Sequence, residues 1–430
     1  MQTRFSAEQR RNPEIQDADS ILRRCVHCGF CNATCPTYRL LGDELDGPRG
    51  RIYLIKEMLE NDRPATERTA RHIDRCLSCL SCMTTCPSGV NYMHLVDHAR
   101  VHIERTYSRP WRDRALRRLL ARTLPFPARL RPLLALARVG RAVGLRLPGR
   151  LGAAQRLAGV VPRGPSPWDT PQTLPAVGLR RARVALLTGC VQRAIDPAIN
   201  DATIRLLRRA GCEVVIARGT GCCGSLAHHL GRADEAKTAA AATITAWHRE
   251  LAAGALDAVV VNASGCGTHV KDWGFQFRHD PALAEPATKV SSLALDVTEL
   301  LDRLGLPPVT GAAGDQVVVY QSSCSMQHGQ KLTTLPKKLL AAAGFKLVDV
   351  ADEHLCCGSA GTYNVLQPEI AAILGREKAS MLDAAGADAI ATGNIGCKVQ
   401  LAQYGRTPVL HTVELLDWAT GGERPSPLVR

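Results

Sequence analysis

Two short runs of cysteine constrain this chain more than any other feature. They are CVHCGFCNATCP at residues 25–36 and CLSCLSCMTTCP at residues 76–87, and both have the spacing C-x2-C-x2-C-x3-C-P. Three thiolates at positions i, i+3 and i+6 of a tight loop can wrap one [4Fe–4S] cubane. The proline ends the loop, so the fourth cysteine is turned away from that cubane and can reach a second one.

The runs therefore predict two [4Fe–4S] clusters with exchanged fourth ligands, as in bacterial ferredoxins that hold two clusters. Zinc sites and disulfides are the alternatives. Zinc sites use two CxxC pairs with a longer insert, and disulfide frameworks belong to small secreted chains. Two complete runs in 430 residues favour clusters and electron transfer. The expected ligands are Cys25, Cys28, Cys31 and Cys86 for cluster 1, and Cys76, Cys79, Cys82 and Cys35 for cluster 2.

Length and the remaining composition place the protein in a reducing compartment. A chain of 430 residues predicts two or three domains. Its 17 cysteines are grouped in metal-ligand spacing, which favours metal binding over disulfides. The N-terminus is polar and lacks the apolar stretch of a signal peptide, and no run reaches the roughly 18 apolar residues of a membrane span. We expect a cytoplasmic protein, either free or peripheral on the inner face of the cytoplasmic membrane.

Positive charge is concentrated in one segment of the chain. Of the formal net charge of +14, the segment from Arg105 to Arg183 carries 18 arginines, no lysine and only two acids, Asp113 and Asp169. Its prolines predict short basic helices with breaks between them. Three interpretations stay open: a docking face for a membrane or an acidic partner, a nucleic-acid surface, or a connector with solvated arginines. Motifs and stacking aromatics for nucleic acid are missing, so no nucleic-acid partner is predicted.

The C-terminal part of the chain contains an internal repeat. Three cysteines recur 134 positions later and a fourth recurs 131 positions later, each time with Cys-Cys-Gly at the centre. Short apolar strands alternate with helices in both copies, which predicts parallel sheets with the cysteines near the carboxyl ends of strands. These cysteines are candidates for a further cluster or redox site, and inert buried thiols are the alternative. Cys212 has no counterpart in the second copy and is assigned to the core. The repeated cysteines are Cys190, Cys222, Cys223 and Cys266, matched by Cys324, Cys356, Cys357 and Cys397.

The predicted fold is therefore a multidomain α+β protein. Its first part is mostly helical, with a helix whose apolar residues 52, 55, 58 and 59 pack over the clusters. Arg49 and Arg51 begin that helix, either to offset cluster charge or as a solvated helix end. The predicted division is a two-cluster ferredoxin-type domain at 1–104, an Arg/Pro-rich helical linker at 105–182, and Cys-Cys-Gly α/β repeats at 183–310 and 311–430.

Nearly the whole chain, apart from the Arg-rich linker, resembles one family, the iron–sulfur subunits of bacterial glycolate oxidases. The motifs that carry the resemblance lie at residues 25–38, 41–56, 85–90 and 356–364. Related families are the iron–sulfur subunits of anaerobic glycerol-3-phosphate dehydrogenase, lactate-utilisation proteins and heterodisulfide reductase. In heterodisulfide reductase each repeat ends in CxxC and holds a noncubane cluster, whereas His269 and Gln400 occupy the corresponding fifth positions here.

The resemblance implies an electron-transfer subunit of a glycolate oxidase complex. FAD would lie on partner subunits that oxidise the hydroxy acid, and electrons would pass towards quinone or another membrane acceptor. No catalytic residue and no independent substrate site are predicted for this chain. The alternatives are an iron–sulfur subunit of a lactate or glycerol-3-phosphate dehydrogenase, or a heterodisulfide-type reductase that acts at the Cys-Cys-Gly sites.

Overall fold

The structure is a computed structural model that describes residues 1–157 and 164–428. It confirms the α+β architecture, because the parallel sheets are confined to the C-terminal part and the N-terminal part is helical. The helices of the first part are α1 Pro13–Arg24, α2 Phe30–Ala33, α3 Pro36–Leu41, α4 Pro48–Glu60, α5 Glu67–Asp74, α6 Ser81–Thr85 and α7 Tyr92–Thr106.

Helix α4 is the predicted amphipathic helix, and its apolar face is buried as expected. Ile52, Ile55 and Met58 pack in one core with Leu22 of α1 and Leu95 of α7. The helix begins with Pro48 in its first turn, where proline costs no hydrogen bond. Each fully buried aliphatic side chain contributes about 1.5–3 kcal/mol, so this core holds the two cysteine loops in place.

Three further helices form the basic segment: α8 Trp111–Thr123, α9 Pro127–Ala142 and α10 Gly149–Leu157. Proline was expected to break helices here, but Pro132 lies inside α9, which continues at the cost of one backbone hydrogen bond. In the described ranges, every helix is too short or too polar to cross a bilayer.

The first repeat forms a parallel sheet of order β3-β2-β4-β5, and strand β1, from the segment predicted as linker, joins its β3 edge as a fifth, antiparallel strand. The strands are β1 Gln172–Leu174, β2 Ala182–Leu187, β3 Cys212–Ile216, β4 Ala258–Val261 and β5 Ala294–Asp296. The helices are α11 Val191–Ile195, α12 Ala198–Arg209, α13 Ser225–His229, α14 Ala233–Ala253, α15 Ser264–Lys271, α16 Trp273–Gln276, α17 Ala284–Leu293 and α18 Val297–Leu304.

The second repeat forms a fully parallel sheet of order β7-β6-β8-β9, which is the order of β3-β2-β4-β5 in the first. The repeat seen in the sequence is thus a repeat of structure. The strands are β6 Val317–Gln321, β7 Lys346–Val348, β8 Ala389–Thr392 and β9 Val409–His411. The helices are α19 Leu335–Ala342, α20 Tyr363–Leu366, α21 Pro368–Asp383, α22 Ile395–Leu401 and α23 Thr412–Ala419, with a π-helical turn at Ser325–Gly329.

The two repeats share one hydrophobic core rather than folding side by side. Val184 of β2 and Val318 of β6 belong to the same buried cluster, between the packed helices α12 and α23. Asp417 of α23 is fully buried and receives the guanidinium groups of Arg205 and Arg209 from α12, at 2.6 and 2.5 Å. Each sheet therefore positions its own cysteines, and the shared core fixes the two sets relative to each other.

Candidate metal centres

The first cysteine run lies in a loop between α1 and α2, and three of its thiols gather with one thiol of the second run. Cys25, Cys28, Cys31 and Cys86 line one open cavity of about 440 Å³, counting its solvent-filled mouth. Burial, together with the nearby thiols of Cys25 and Cys86, raises the pKa of Cys31 to about 11. Left-handed backbone at Gly29 turns the loop inward. Cys28 is exposed, so this group lies at the protein surface.

The second run forms a matching group that is buried. Burial raises the pKa of Cys79 and of Cys82, and the nearby thiols of Cys76 and Cys35 raise both further. The structure thus places the fourth cysteine of each run among the first three of the other. Two groups of four thiols, each with three thiols from one loop and one from the other, fit the donor set of two [4Fe–4S] clusters. Bound iron would hold these thiols as thiolates in spite of their raised pKa. The assignment of ligands itself stays a prediction.

A buried charged network supports the second group. Arg51 is only 1 % exposed, and its guanidinium lies 3.8 Å from Sγ of Cys35. The same guanidinium donates hydrogen bonds to Oγ1 of Thr37 and to the carbonyl of His72, and it pairs with Asp46 at 3.5 Å. The sequence pointed to Arg51, but it did not point to the residues that contact its guanidinium group. No spacing rule links residues 46 and 72, so only the fold could reveal this network.

The eight repeated cysteines form two groups of four thiols, one in each repeat. We call them the first foursome (Cys190, Cys222, Cys223 and Cys266) and the second foursome (Cys324, Cys356, Cys357 and Cys397). In the first foursome, Sγ of Cys190 and Sγ of Cys222 are 3.3 Å apart, and Cys223 bridges Cys222 and Cys266. Contacts from Cys190 and Cys223 lower the pKa of Cys222. The second foursome has the same connections, from Cys324 to Cys356 and from Cys357 to Cys397. All of these thiols are free.

Each foursome depends on the glycine that follows its Cys-Cys pair. Gly224 and Gly358 have φ of +94° and +80°, and a Cβ there would lie 2.6 and 2.7 Å from the carbonyl oxygens of Ala236 and Ala371. The turn after the cysteines therefore needs a left-handed residue that also has no side chain. This is why both repeats read Cys-Cys-Gly.

We expect Gly358→Ala to destabilise the second repeat by clearly more than the roughly 1–2 kcal/mol that a left-handed alanine costs by itself. The added cost comes from the contact with the backbone of Ala371, which cannot move without shifting α21. Gly144→Ala is the matched control, because Gly144 has φ of +79° and open space around it. Denaturant unfolding of both variants measures the difference, and equal destabilisation would contradict the steric explanation.

The two foursomes differ in their surroundings, and the second one meets the ferredoxin-type part. Cys324 and Cys356 pack in one cluster with Cys79 and its neighbour Leu77. The hydroxyl of Tyr363 donates a hydrogen bond to the carbonyl of Arg75 at 3.0 Å and closes the same junction. The second foursome is therefore next to the buried thiol group of the second run.

A buried lysine accompanies the second foursome. Lys378 of α21 is 2 % exposed, and its ammonium donates to the carbonyl of Glu353 at 2.7 Å. Burial lowers the pKa of Lys378, while the nearby thiols of Cys324 and Cys357 act in the opposite direction. A cation here would favour thiolates in the foursome. The sequence analysis missed this residue, because a single lysine in a helix carries no signal of its own.

Histidines follow the cysteines of the first foursome along the chain: His228 and His229 lie in α13 after the Cys-Cys-Gly turn, and His269 lies in α15 after Cys266. His228 Nε2 lies 3.0 Å from the buried carboxylate of Asp97 on α7, and its ring is 4.9 Å from the ring of His269. Burial opposes charge on His228, but Asp97 outweighs it and raises the pKa of that imidazole. His269 lies one turn after Cys266 in α15, at the position of a fifth cysteine, and is buried. Its counterpart Gln400 is also buried and donates to the carbonyl of Ala371.

Comparisons with known proteins agree with this arrangement. Residues 21–90 match the family model of a 4Fe-4S dicluster domain, and residues 184–271 and 318–402 each match that of a cysteine-rich domain. A hypothetical protein from Helicobacter pylori has a similar fold in its crystal structure, with a TM-score of 0.53 and 12 % identity over 96 % of this chain and 74 % of that one.

Two relatives match over almost the full length. The glycolate oxidase iron-sulfur subunit of Escherichia coli is 44 % identical over 97 % of this chain and 99 % of its own. The probable glycolate oxidase iron-sulfur subunit of Bacillus subtilis is 32 % identical over 93 % of this chain and 94 % of its own. The resemblance noted from the motifs is confirmed: the chain belongs to the family of glycolate oxidase iron–sulfur subunits.

Proposed function

We propose that this protein is the electron-transfer subunit of a glycolate oxidase complex. The observation that carries the proposal is the crosswise gathering of the two cysteine runs into two four-thiol groups, in a chain 44 % identical to a glycolate oxidase iron-sulfur subunit. Flavin-containing subunits are the proposed partners, and they oxidise the hydroxy acid. Quinone or another membrane acceptor is the proposed destination of the electrons, at the inner face of the cytoplasmic membrane.

The positions of the cysteine groups suggest the order in which electrons would pass through the chain. When bound, [4Fe–4S] clusters exchange single electrons. Cys25, Cys28, Cys31 and Cys86 would hold the one nearest the surface, and the exposed Cys28 marks the face that a flavin partner approaches. Cys35, Cys76, Cys79 and Cys82 would hold the other, whose charge Arg51 offsets. The contact of Cys79 with Cys324 and Cys356 points from there to the second foursome.

We propose the second foursome as a further redox site and the exit end of the chain. Its support is the shared packing with Cys79 and the buried cation of Lys378. The division of the chain at residues 104, 182 and 310 remains part of the same proposal. Cys223 and Cys266 of the first foursome pack in a hydrophobic cluster of the described residues that contains no ferredoxin-type thiol, so the first foursome serves as the comparison.

The test is anaerobic purification, iron and acid-labile sulfide analysis, and EPR spectroscopy with substrate. Two clusters require about eight irons per chain. Glycolate should generate the reduced EPR signals only when the flavin subunits are present, and faster than lactate or glycerol 3-phosphate does. Oxidation of glycolate by this chain alone would contradict the proposal. Iron beyond eight that is lost in Cys356→Ser, but kept in Cys223→Ser, would support the second foursome as the exit site.

A further inference from the structure

The basic segment presents an apolar surface that no part of the proposed electron path uses. We infer that helix α9, the loop after it and the first turn of α10 form a docking surface for a bilayer of anionic phospholipid. This inference deepens the proposed function, on which it rests, by assigning the membrane contact to one face of this chain. We call this face the α9 surface; it consists of Leu133, Leu136, Val139, Val143, Leu145, Leu147 and Leu151, with Arg129, Arg138, Arg141 and Arg146.

Helix α9 is apolar on two opposite faces, and only one of them is used inside the protein. Leu130 and Leu134 are buried against Ala194 of α11. On the other side, residues 133, 136, 139 and 143 follow one another at helical spacing and are 42–74 % exposed. A helix that needs only one apolar face for its own core has a second apolar face available for a partner.

The loop after α9 and the first turn of α10 add three more exposed aliphatic side chains. The side chain of Leu145 lies against Gly140, so the chain folds back onto the end of the helix. Leu145, Leu147 and Leu151 are themselves 52, 36 and 53 % exposed. Seven exposed aliphatic side chains within 19 residues exceed the scattered apolar residues of an ordinary surface, and such a patch marks a contact with a partner or a membrane.

The charge of this segment is not neutralised inside the protein. Asp113 already pairs with Arg109, Arg117 and Arg150, and Asp169 pairs with Arg131 and Arg193. Among residues 1–157 and 164–428, no carboxylate lies within 4.0 Å of the guanidinium groups of the four arginines of the α9 surface. These exposed cations are therefore available to a negative partner from outside the chain.

Arginine beside aliphatic side chains matches the chemistry of an anionic bilayer. The aliphatic residues can enter the boundary between headgroups and acyl chains, while long arginine side chains reach back to phosphate. Arg129 stacks 4.2 Å above the half-exposed ring of Phe126, an amphipathic pair suited to the headgroup region. Single-stranded nucleic acid needs stacking platforms, and the stripe is built from leucine and valine instead.

The experiment is co-flotation of the purified, cluster-loaded chain with vesicles. Vesicles contain phosphatidylglycerol mixed with phosphatidylcholine, or phosphatidylcholine alone. We expect binding to the anionic vesicles, weakened by high salt, and little binding to the neutral ones. Leu136→Ser with Val139→Ser, and separately Arg138→Glu with Arg141→Glu, should each reduce binding at least tenfold. Because the changed side chains are exposed, both variants should fold and keep their iron.

Matched controls lie outside the α9 surface. Leu179→Ser removes a residue that is 85 % exposed, and Arg68→Glu reverses an exposed charge on α5; both should bind vesicles like the unmodified chain. Equal binding by all variants, or no binding to anionic vesicles, would overturn the inference. The inference would also be overturned if the variants bound vesicles like the unmodified chain but no longer bound the flavin subunits or RNA. Glycolate-dependent EPR signals of the same variants report on the proposed function separately, since these do not require lipid.

Discussion

Cys86→Ser is expected to remove about four irons per chain and to abolish the same EPR signal that Cys25→Ser abolishes. The reason is spatial. Cys86 ends the second run, yet its thiol lies with Cys25, Cys28 and Cys31 of the first. The reciprocal variant Cys35→Ser should likewise match Cys76→Ser, because Cys35 lies with the second run. Iron analysis and EPR of the reduced variants measure both effects.

The control for this experiment is Cys212→Ala. Cys212 is fully buried on β3 and stands apart from both thiol groups and both foursomes. Its loss should leave iron and EPR signals unchanged. If the signal that remains in Cys86→Ser matched the one that remains in Cys76→Ser, each run would hold its own cluster and the crosswise arrangement would be wrong.

Arg51→Met is expected to lower both the stability of the protein and the reduction potential of cluster 2. Methionine roughly keeps the volume, but it leaves the fully buried Asp46 without one of its cations. Breaking a buried pair costs about 3–5 kcal/mol, and the lower end applies because Arg75 still holds Asp46 at 2.7 Å. The potential falls because a positive charge 3.8 Å from Sγ of Cys35 is lost.

Arg49→Met is the matched control, since Arg49 belongs to the same helix and pairs with Glu44 in a partly exposed position, where the two side chains are 32 and 41 % exposed. Exposed pairs contribute about 0–1 kcal/mol, so the free energy of unfolding should change little. Anaerobic denaturant unfolding and an EPR-monitored redox titration measure the two quantities for both variants. An unchanged potential of cluster 2 in Arg51→Met, or a shift of cluster 1 instead, would contradict the electrostatic explanation.

Much of the fold could be predicted because the signals were local or repeated. The apolar spacing at 52, 55, 58 and 59 located α4, and the recurrence of four cysteines at nearly constant separation predicted two equivalent sheets. The sequence Glu-Leu-Leu-Asp occurs near the end of both copies, at residues 299–302 and 414–417, and it lies in equivalent helices, α18 and α23, whose N-capping residues are Asp296 and His411. Such patterns can be recognised in the sequence because helical periodicity, strand periodicity and helix capping each depend on residues only a few positions apart.

The cysteines of each site could be predicted from the sequence, but most of the side chains around them could not. Cysteine spacing carries information about a ligand loop because the loop is continuous in sequence. The charged side chains around these sites come from distant segments: Asp46, which pairs with Arg51, lies before α4, and Lys378, beside the second foursome, lies in α21. Charge in the linker was visible in the sequence, but the exposed stripe on α9 was not, because both faces of that helix are equally apolar.

The sequence alone thus determined which thiols exist, how they are spaced and that the second part of the chain repeats. Only the tertiary structure decided that the second foursome adjoins Cys79, and that Asp97 of α7 pairs with His228, which follows the Cys-Cys-Gly turn of the first foursome. The two repeats have the same local pattern, so the pattern cannot distinguish them. Their difference arises from how the shared core of the repeats packs against the ferredoxin-type part, and long-range packing of this kind has no counterpart in local spacing.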